Sequence, residues 1–124
     1  MGTGFKQLKV WAEARDLAVE VYRLSSAGLL AKDFGLRDQL RRAAVSIPSN
    51  IAEGDERDTD KDAVRFFYIA KGSIAEIRTQ LEIAHQVNLI ISEQLNPLET
   101  HCVLVAKMLG ALIKARSATF PPRP

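Results

Sequence analysis

Glu82 and His85 have the residue types and the spacing of a pair of metal ligands. They form a Glu-x-x-His segment, the spacing with which di-iron helical bundles hold their metals. Such a centre also needs a second Glu-x-x-His and two further carboxylates facing it. The other histidine, His101, has Leu98 three residues before it, so the second copy is absent. We therefore expect no metal and no other cofactor, and keep a metal-dependent enzyme only as an alternative that metal analysis would test.

The candidate nucleophiles also lack the partners that nucleophilic catalysis requires. Cys102 lies in an apolar helical run, where cysteine usually acts as a small packing residue. Ser46, Ser49 and Ser73 have no evident histidine partner, since both histidines lie late in the chain. No glycine-rich phosphate loop is present in the sequence. We predict that the protein is not an enzyme.

Composition indicates an ordinary soluble domain. The chain has 124 residues, of which 47% are hydrophobic and 26% charged, and this length suits one domain. The N-terminus lacks the apolar run of a signal peptide, and no apolar stretch approaches the roughly 18 residues that span a bilayer. A single cysteine suits a reducing compartment, so we expect a cytoplasmic protein without a membrane partner. The net charge of +2 permits RNA as a partner but does not argue for it.

Apolar residues recur at helical spacing in four runs, and no segment alternates with period two. Short polar connections separate the runs, so neighbouring helices should be antiparallel. The sequence predicts an all-α fold, an antiparallel up-down four-helix bundle in one domain over residues 1–118. We predict helices over about 5–25, 35–54, 60–89 and 96–116, followed by a flexible tail over 119–124.

Local signals set the predicted ends of these helices. Gly54 should end the second helix, since glycine is common at helix C-termini. Thr59 and Asp62 resemble a capping box that opens the third helix. Asn96 followed by Pro97 reads as the cap and first position of the fourth helix.

The stretch "SIPSN" at residues 46–50 places a proline inside the second predicted helix. Proline removes one helical hydrogen bond and crowds the carbonyl four residues back, here that of Ala44. Ser46, Ser49 and Asn50 can offer hydrogen bonds to backbone groups that the bend leaves unpaired. We therefore predict a helix kinked at Pro48 rather than a catalytic turn.

The second and third predicted helices form the central hairpin. On each of them a second row of residues, which we call a seam, runs beside the row of apolar core residues. On the third helix, Ile69, Ile83 and Val87 share it with polar residues, at the spacing of a coiled coil. We predict that the polar residues of the two seams form an interface or a buried polar network: Gln39, Arg42, Ser46, Asn50, Glu53, Ser73, Glu76 and Gln80. A solvated polar face is the alternative.

Two specific contacts follow from this pairing of helices. Antiparallel alignment brings Arg42 level with Ser73 and Glu76, so we predict a partly buried Arg42–Glu76 ion pair at a helix or subunit interface. Gly72 lies inside the third helix, where glycine costs about 1 kcal/mol relative to alanine. We expect a neighbouring helix to cross close to Gly72.

Three segments together resemble a known family: "FKQLKVWAEARDLAVEVY", "FGLRDQLRRAAVSIPSNIAEG" and "FFYIAKGSIAEIRTQLEIA". They resemble the four-helix-bundle proteins encoded by intervening sequences of bacterial 23S ribosomal RNA genes, over residues 5–112. Arg78 departs from the family pattern, which usually has an acidic residue there. The resemblance implies a homopentameric bundle without established enzymatic activity. A related branch is the accessory protein of diversity-generating retroelements, which forms a pentamer and works with a reverse transcriptase and RNA.

Two kinds of function are compatible with these features. The first is a non-enzymatic oligomeric scaffold or adaptor, homopentameric by resemblance, that binds RNA or a protein partner. The alternative is a nucleic-acid-binding accessory protein that acts with a reverse transcriptase. No helix is strongly basic, but a ring could concentrate four cations of each chain into an electropositive rim: Lys6, Lys9, Arg37 and Arg41.

Overall fold

Helices account for almost all of the chain. The computed structural model describes residues 4–120, and no strand occurs among them. The elements are a 3₁₀ turn at Gly4–Gln7 and five helices: α1 Lys9–Ser25, α2 Gly28–Lys32, α3 Phe34–Asp55, α4 Asp60–Gln86 and α5 Ser92–Ser117. The all-α prediction is confirmed. No described helix is both long enough and apolar enough to cross a membrane.

The four long helices pack around one core. α1 lies against α3 and α5, α4 lies against the same two helices, and the short α2 packs on α3. Each long helix contributes one stripe of fully buried side chains, and these include Leu17, Leu40, Ile47, Phe67, Ile77, Leu81 and Leu109. Burial of each such side chain contributes about 1.5–3 kcal/mol relative to exposure. The stripes therefore dominate the stability of the fold.

Side-chain caps open α3 and α4. Asp33 accepts a hydrogen bond from the Leu36 N–H at 3.1 Å, and Thr59 accepts one from the Asp62 N–H at 3.2 Å. Each cap pairs one of the four N–H groups that a helix N-terminus leaves free. The predicted cap at Thr59 is thus present.

The predicted start of the last helix is wrong. α5 begins at Ser92, and the Gln94 side chain accepts a hydrogen bond from the Ile91 N–H at 3.0 Å. Pro97 therefore lies inside α5, and Asn96 caps nothing. The earlier start places the buried Leu95 on α5, where it joins the core.

Two glycines act differently from the prediction. Gly54 does not end α3, which continues to Asp55. A Cβ atom at Gly54 would lie 2.7 Å from the Phe67 Cε1 and 2.9 Å from the Ala63 carbonyl oxygen, so glycine permits α3 to approach α4 closely. The close approach predicted at Gly72 is wrong within the chain, because a Cβ there would meet open space.

The C-terminal end of the described chain is held in place. Thr119 donates hydrogen bonds to the Asp60 carboxylate and to the Arg116 carbonyl, and Phe120 packs against the core. These contacts fall on the first two residues of the predicted flexible tail. Residues 121–124 of that tail lie outside the described residues.

Candidate functional site

Three of the eight predicted seam residues meet between α3 and α4. The Ser73 hydroxyl donates to the Ser46 Oγ at 2.9 Å, and the Asn50 Nδ2 donates to the same oxygen at 2.9 Å. Asn50 also donates to the Ser46 carbonyl at 2.8 Å. Ser73 is buried, while Ser46 and Asn50 are half-buried. The hydroxyl oxygen of Ser46 has two lone pairs, so it can accept both bonds, and the network joins the two helices of the hairpin.

The charged members of the seam do not join this network. Arg42 and Glu76 are both exposed, and the predicted ion pair between them does not form within the described chain. Glu53 instead pairs with Arg57 one turn later on α3, at 2.9 Å. Gln39 is also exposed. These four residues lie on the outer side of the hairpin, where solvent reaches them.

Gln80 is half-buried, and its Oε1 is buried without a hydrogen-bond partner. A buried acceptor without a donor costs about 1–3 kcal/mol. It lies on a row of α4 residues that we call the outer stripe: Ile69, Gly72, Glu76, Gln80, Ile83 and Val87. These positions recur every three or four residues and so share one side of the helix.

The outer stripe mixes apolar and polar residues, and the described residues leave it uncovered. Ile69, Ile83 and Val87 are 52%, 48% and 56% exposed. At Gly72 nothing approaches the backbone, and Glu76 is the one charged residue of the stripe. Isolated exposed apolar side chains are common, but three of them on one side of a helix, around an open glycine, are compatible with a surface for another helix.

A second apolar surface lies on the other side of α3, between that helix and α1. We call it the α1–α3 groove, a depression of about 550 Å³ lined by Arg15, Ala18, Val19, Tyr22, Arg23, Ser26, Val45 and Pro48. Val19, Tyr22 and Val45 are each more than 40% exposed. The charged residues of its lining, Arg15 and Arg23, are both cationic. Sequence reasoning missed this groove, although Val19, Tyr22 and Val45 lie out of phase with the core stripes of their helices.

Two of the four cations predicted to bind nucleic acid have structural roles. Arg41 donates to the Ser25 and Ser26 hydroxyls at 2.8 and 3.0 Å and lies 4.6 Å above the Tyr22 ring. Arg37 pairs with Asp38, donates to the Ala31 carbonyl and lies over the Phe34 ring. Both guanidinium groups thus fix the turn between α1 and α3. Lys6 and Lys9 are exposed near the N-terminus.

Among the described residues, no hydrogen bond joins either histidine to Ser46, Ser49, Ser73 or Cys102. Glu82 is exposed, and the His85 Nε2 lies 3.0 Å from the Ser92 hydroxyl, while its Nδ1 is buried without a partner. Among residues 4–120, no group of three or more histidine, cysteine, aspartate or glutamate side chains is arranged so that it could hold a metal ion. Burial raises the pKa of the Cys102 thiol to about 12, so the thiolate does not form at neutral pH.

His101 joins α1 to α5 through two carboxylates, a contact that the sequence did not reveal. Its Nε2 lies 2.8 Å from the Glu13 Oε1 and its Nδ1 lies 2.9 Å from the Glu20 Oε1. Carboxylates only accept hydrogen bonds, so the ring can donate to both of them only when both of its nitrogens carry a proton. The available signal was the seven-residue spacing of Glu13 and Glu20, which places them two turns apart on one side of α1.

Arg78 also joins two helices. Its guanidinium approaches the Glu99 carboxylate at 2.6 Å across a depression of about 580 Å³ between α4 and α5. The hydrogen bond and the charge of Glu99 raise the pKa of Arg78. Since both side chains are well exposed, this pair contributes little to stability.

Comparison with known proteins identifies the fold and the family model that the chain fits. Residues 6–111 match a family model described as 23S rRNA-intervening sequence protein. The chain is also similar to a crystal structure from Bacteroides thetaiotaomicron, described as a protein of unknown function from the S23 ribosomal protein family. The two are 24% identical, with a TM-score of 0.77 over 85% of this chain and 98% of the other. No curated protein matches this sequence.

Proposed function

This chain belongs to the 23S rRNA-intervening sequence protein family, and we propose that it is a non-enzymatic scaffold or adaptor that assembles with copies of itself. The outer stripe of α4 is the observation that carries this proposal. Three apolar side chains about half exposed and an open glycine lie along one side of the helix. Exposure of the apolar side chains is unfavourable in an isolated chain, and contact with another chain would bury them.

The spacing of the stripe favours a folded partner over chance exposure. An isolated four-helix bundle needs one buried stripe on each helix, and α4 already has one. The outer stripe repeats with the same period over Ile69 to Val87. A helix that packs against two separate neighbours shows this double pattern.

The proposal also includes the finer arrangement of the bundle. The short connections favour an antiparallel up-down order of the four long helices, with α3 bent at Pro48. The homopentameric number comes from the family resemblance, because the stripe specifies contact with a neighbour but not how many copies complete the assembly.

Light scattering coupled to size-exclusion chromatography tests self-assembly, with one variant on the stripe and one away from it. Ile83→Glu places a charge on the stripe, while Leu104→Glu changes a residue of similar exposure on α5. We expect the wild type and Leu104→Glu to have the same mass, a multiple of the 13.7 kDa chain. Ile83→Glu should elute as a folded monomer. A wild type that stays monomeric at micromolar concentration would overturn the proposal.

Binding of RNA is the second candidate function, and it is supported by the exposure of Lys6 and Lys9. The resemblance also implies an accessory protein that acts with a reverse transcriptase. That role requires binding of RNA. The matched test compares Lys6→Glu/Lys9→Glu with Lys71→Glu/Lys107→Glu, which changes the charge equally on α4 and α5. Fluorescence anisotropy with a labelled RNA should show weaker binding for the first variant and a steep loss of affinity with salt. Equal affinities for both variants, or an affinity insensitive to salt, would contradict this role.

A further inference from the structure

The structure leaves two dissimilar surfaces of one chain uncovered, the outer stripe on α4 and the α1–α3 groove. We propose that the outer stripe of one copy docks in the α1–α3 groove of the next copy. This inference rests on the proposed function, self-assembly, and adds which two surfaces meet.

The apolar residues of the two surfaces fit a helix lying in a groove. Ile69, Ile83 and Val87 project from one side of α4, and the fifteen residues from Ile69 to Ile83 span about 21 Å. The groove presents Val19, Tyr22 and Val45, with Pro48 and the small Ala18 beside them. A helix that lies in a groove buries residues at this spacing against apolar walls of this kind.

Charge distinguishes this pairing from pairing of like surfaces. The outer stripe has one charged residue, Glu76, whereas the charged residues that line the groove are Arg23 and Arg15, of which Arg15 also pairs with the neighbouring Asp16 at 3.0 Å. Two stripes placed face to face would bring two glutamates together, and two grooves would bring four arginines together. A stripe against a groove instead brings opposite charges together, which favours this orientation and suppresses the others.

A further feature of the stripe suits the groove. Gly72 has no side chain and no heavy atom of the described chain near its Cβ position, so another helix can approach the α4 backbone there.

The contact joins different surfaces of identical chains and is therefore heterologous. Each added copy keeps one free stripe and one free groove until the rotation between copies closes a ring. A dimer with a two-fold axis would instead use the same surface on both chains. The two geometries make different predictions for mixtures of variants.

The test mixes a variant of the stripe with a variant of the groove. The stripe variant is Ile83→Glu, and the groove variant is Val19→Lys/Val45→Lys, whose positions are 41% and 43% exposed in the free chain. Circular dichroism establishes that both variants fold. Each alone should be monomeric by sedimentation velocity. A one-to-one mixture should form a heterodimer and nothing larger, because it contains one intact stripe and one intact groove.

The other outcomes separate this inference from the proposed function. If the groove variant assembles like the wild type while the stripe variant does not, the inference is wrong and self-assembly stands. If both variants are monomeric and the mixture stays monomeric, the two surfaces do not meet each other and the inference is overturned. A monomeric wild type overturns self-assembly itself. Leu104→Lys on α5 serves as the matched control and should assemble like the wild type.

Charge reversal gives a second readout that does not depend on the apolar residues. Glu76→Arg should weaken assembly at least about tenfold, because it brings like charges together. Adding Arg15→Glu and Arg23→Glu to that variant should restore assembly. If the added substitutions fail to restore assembly, the proposed pairing of stripe with groove is contradicted.

Discussion

The two sides of α4 carry apolar residues at the same helical spacing, yet the chain covers only one of them. Phe67, Ile74, Ile77 and Leu81 on the inner side are at most 2% exposed, because α3 and α5 pack over them. On the outer side, Ile69, Ile83 and Val87 remain about half exposed. The two rows lie side by side on one helix, but the inner row is wholly apolar and covered by neighbouring helices, whereas the outer stripe also contains Gly72, Glu76 and Gln80 and is not covered by the described residues.

This difference separates folding from assembly. Residues of the inner row should control the free energy of unfolding of a single chain, since their burial is complete within it. Residues of the outer stripe should control association between chains and have little effect on folding. The stability measurements below are best made in the Ile83→Glu background, where assembly does not add to the measured stability.

The largest expected effect comes from a cavity in the inner row. Phe67→Ala should lower the free energy of unfolding by about 3–5 kcal/mol, because Phe67 is fully buried and its removal leaves a void. Val87→Ala on the outer stripe is the control and should change stability by less than about 1 kcal/mol. Urea denaturation followed by circular dichroism measures both. Equal losses would remove the distinction between the two sides.

The next largest change in the free energy of unfolding is expected at Gly54, and Gly72 is its matched control on the other helix of the hairpin. Gly54→Ala should destabilise the chain by about 1–3 kcal/mol, because the new Cβ would collide with Phe67 and with the Ala63 carbonyl. Gly72→Ala meets open space and should stabilise the monomer by about 0.5–1 kcal/mol through helix propensity alone. The same denaturation experiment measures both changes. A destabilising Gly72→Ala would show that something covers this position within the chain.

The hydroxyl network between α3 and α4 should contribute less to the free energy of unfolding than the close packing at Gly54. Ser73→Ala removes the bond to the Ser46 hydroxyl and should lower stability by about 1 kcal/mol. The exposed Ser49 provides the control, and Ser49→Ala should change stability by less than about 0.5 kcal/mol. If Ser73→Ala is neutral, the network does not hold the hairpin together.

Near neutral pH, the smallest effect on stability is that of the buried thiol of Cys102. Burial raises its pKa to about 12 in the folded chain, so folding favours the protonated thiol. The stabilising contribution is complete below the ordinary pKa of cysteine and declines as the pH rises from there towards 12. At pH 8 we expect iodoacetamide to label Cys102 only after unfolding, as measured by mass spectrometry. Rapid labelling of the folded chain would contradict this burial.

Helical periodicity predicted the elements better than it predicted their ends. The apolar seams placed all four long helices, and the seam positions Ser46, Asn50 and Ser73 do lie beside one another. The short α2 was not predicted, and α1 begins at Lys9 after a 3₁₀ turn rather than near residue 5. The predicted start of α5 was wrong because Asn96 followed by Pro97 is a strong local signal for a helix N-terminus. Burial of Leu95 and the Gln94 bond to the Ile91 N–H outweigh that signal, and both depend on the folded context.

Contacts between distant segments could not be derived from one sequence. His101 meets Glu13 and Glu20 across 88 and 81 residues, and nothing near His101 indicates those partners. The sequence around Arg41 likewise gives no sign of a partner, whereas in the structure its guanidinium contacts Ser25, Ser26 and the Tyr22 ring. Local pattern identifies which side of a helix is buried, but the partners of polar side chains depend on how the helices pack.

The most direct test of self-assembly through α4 is the molar mass of the wild type beside that of Ile83→Glu, measured by light scattering at micromolar concentration. We predict a multiple of the 13.7 kDa chain for the wild type, with five chains as the expected number, and a single folded chain for the variant. A single chain for both proteins would contradict self-assembly. The same multiple for both would contradict the role of the outer stripe.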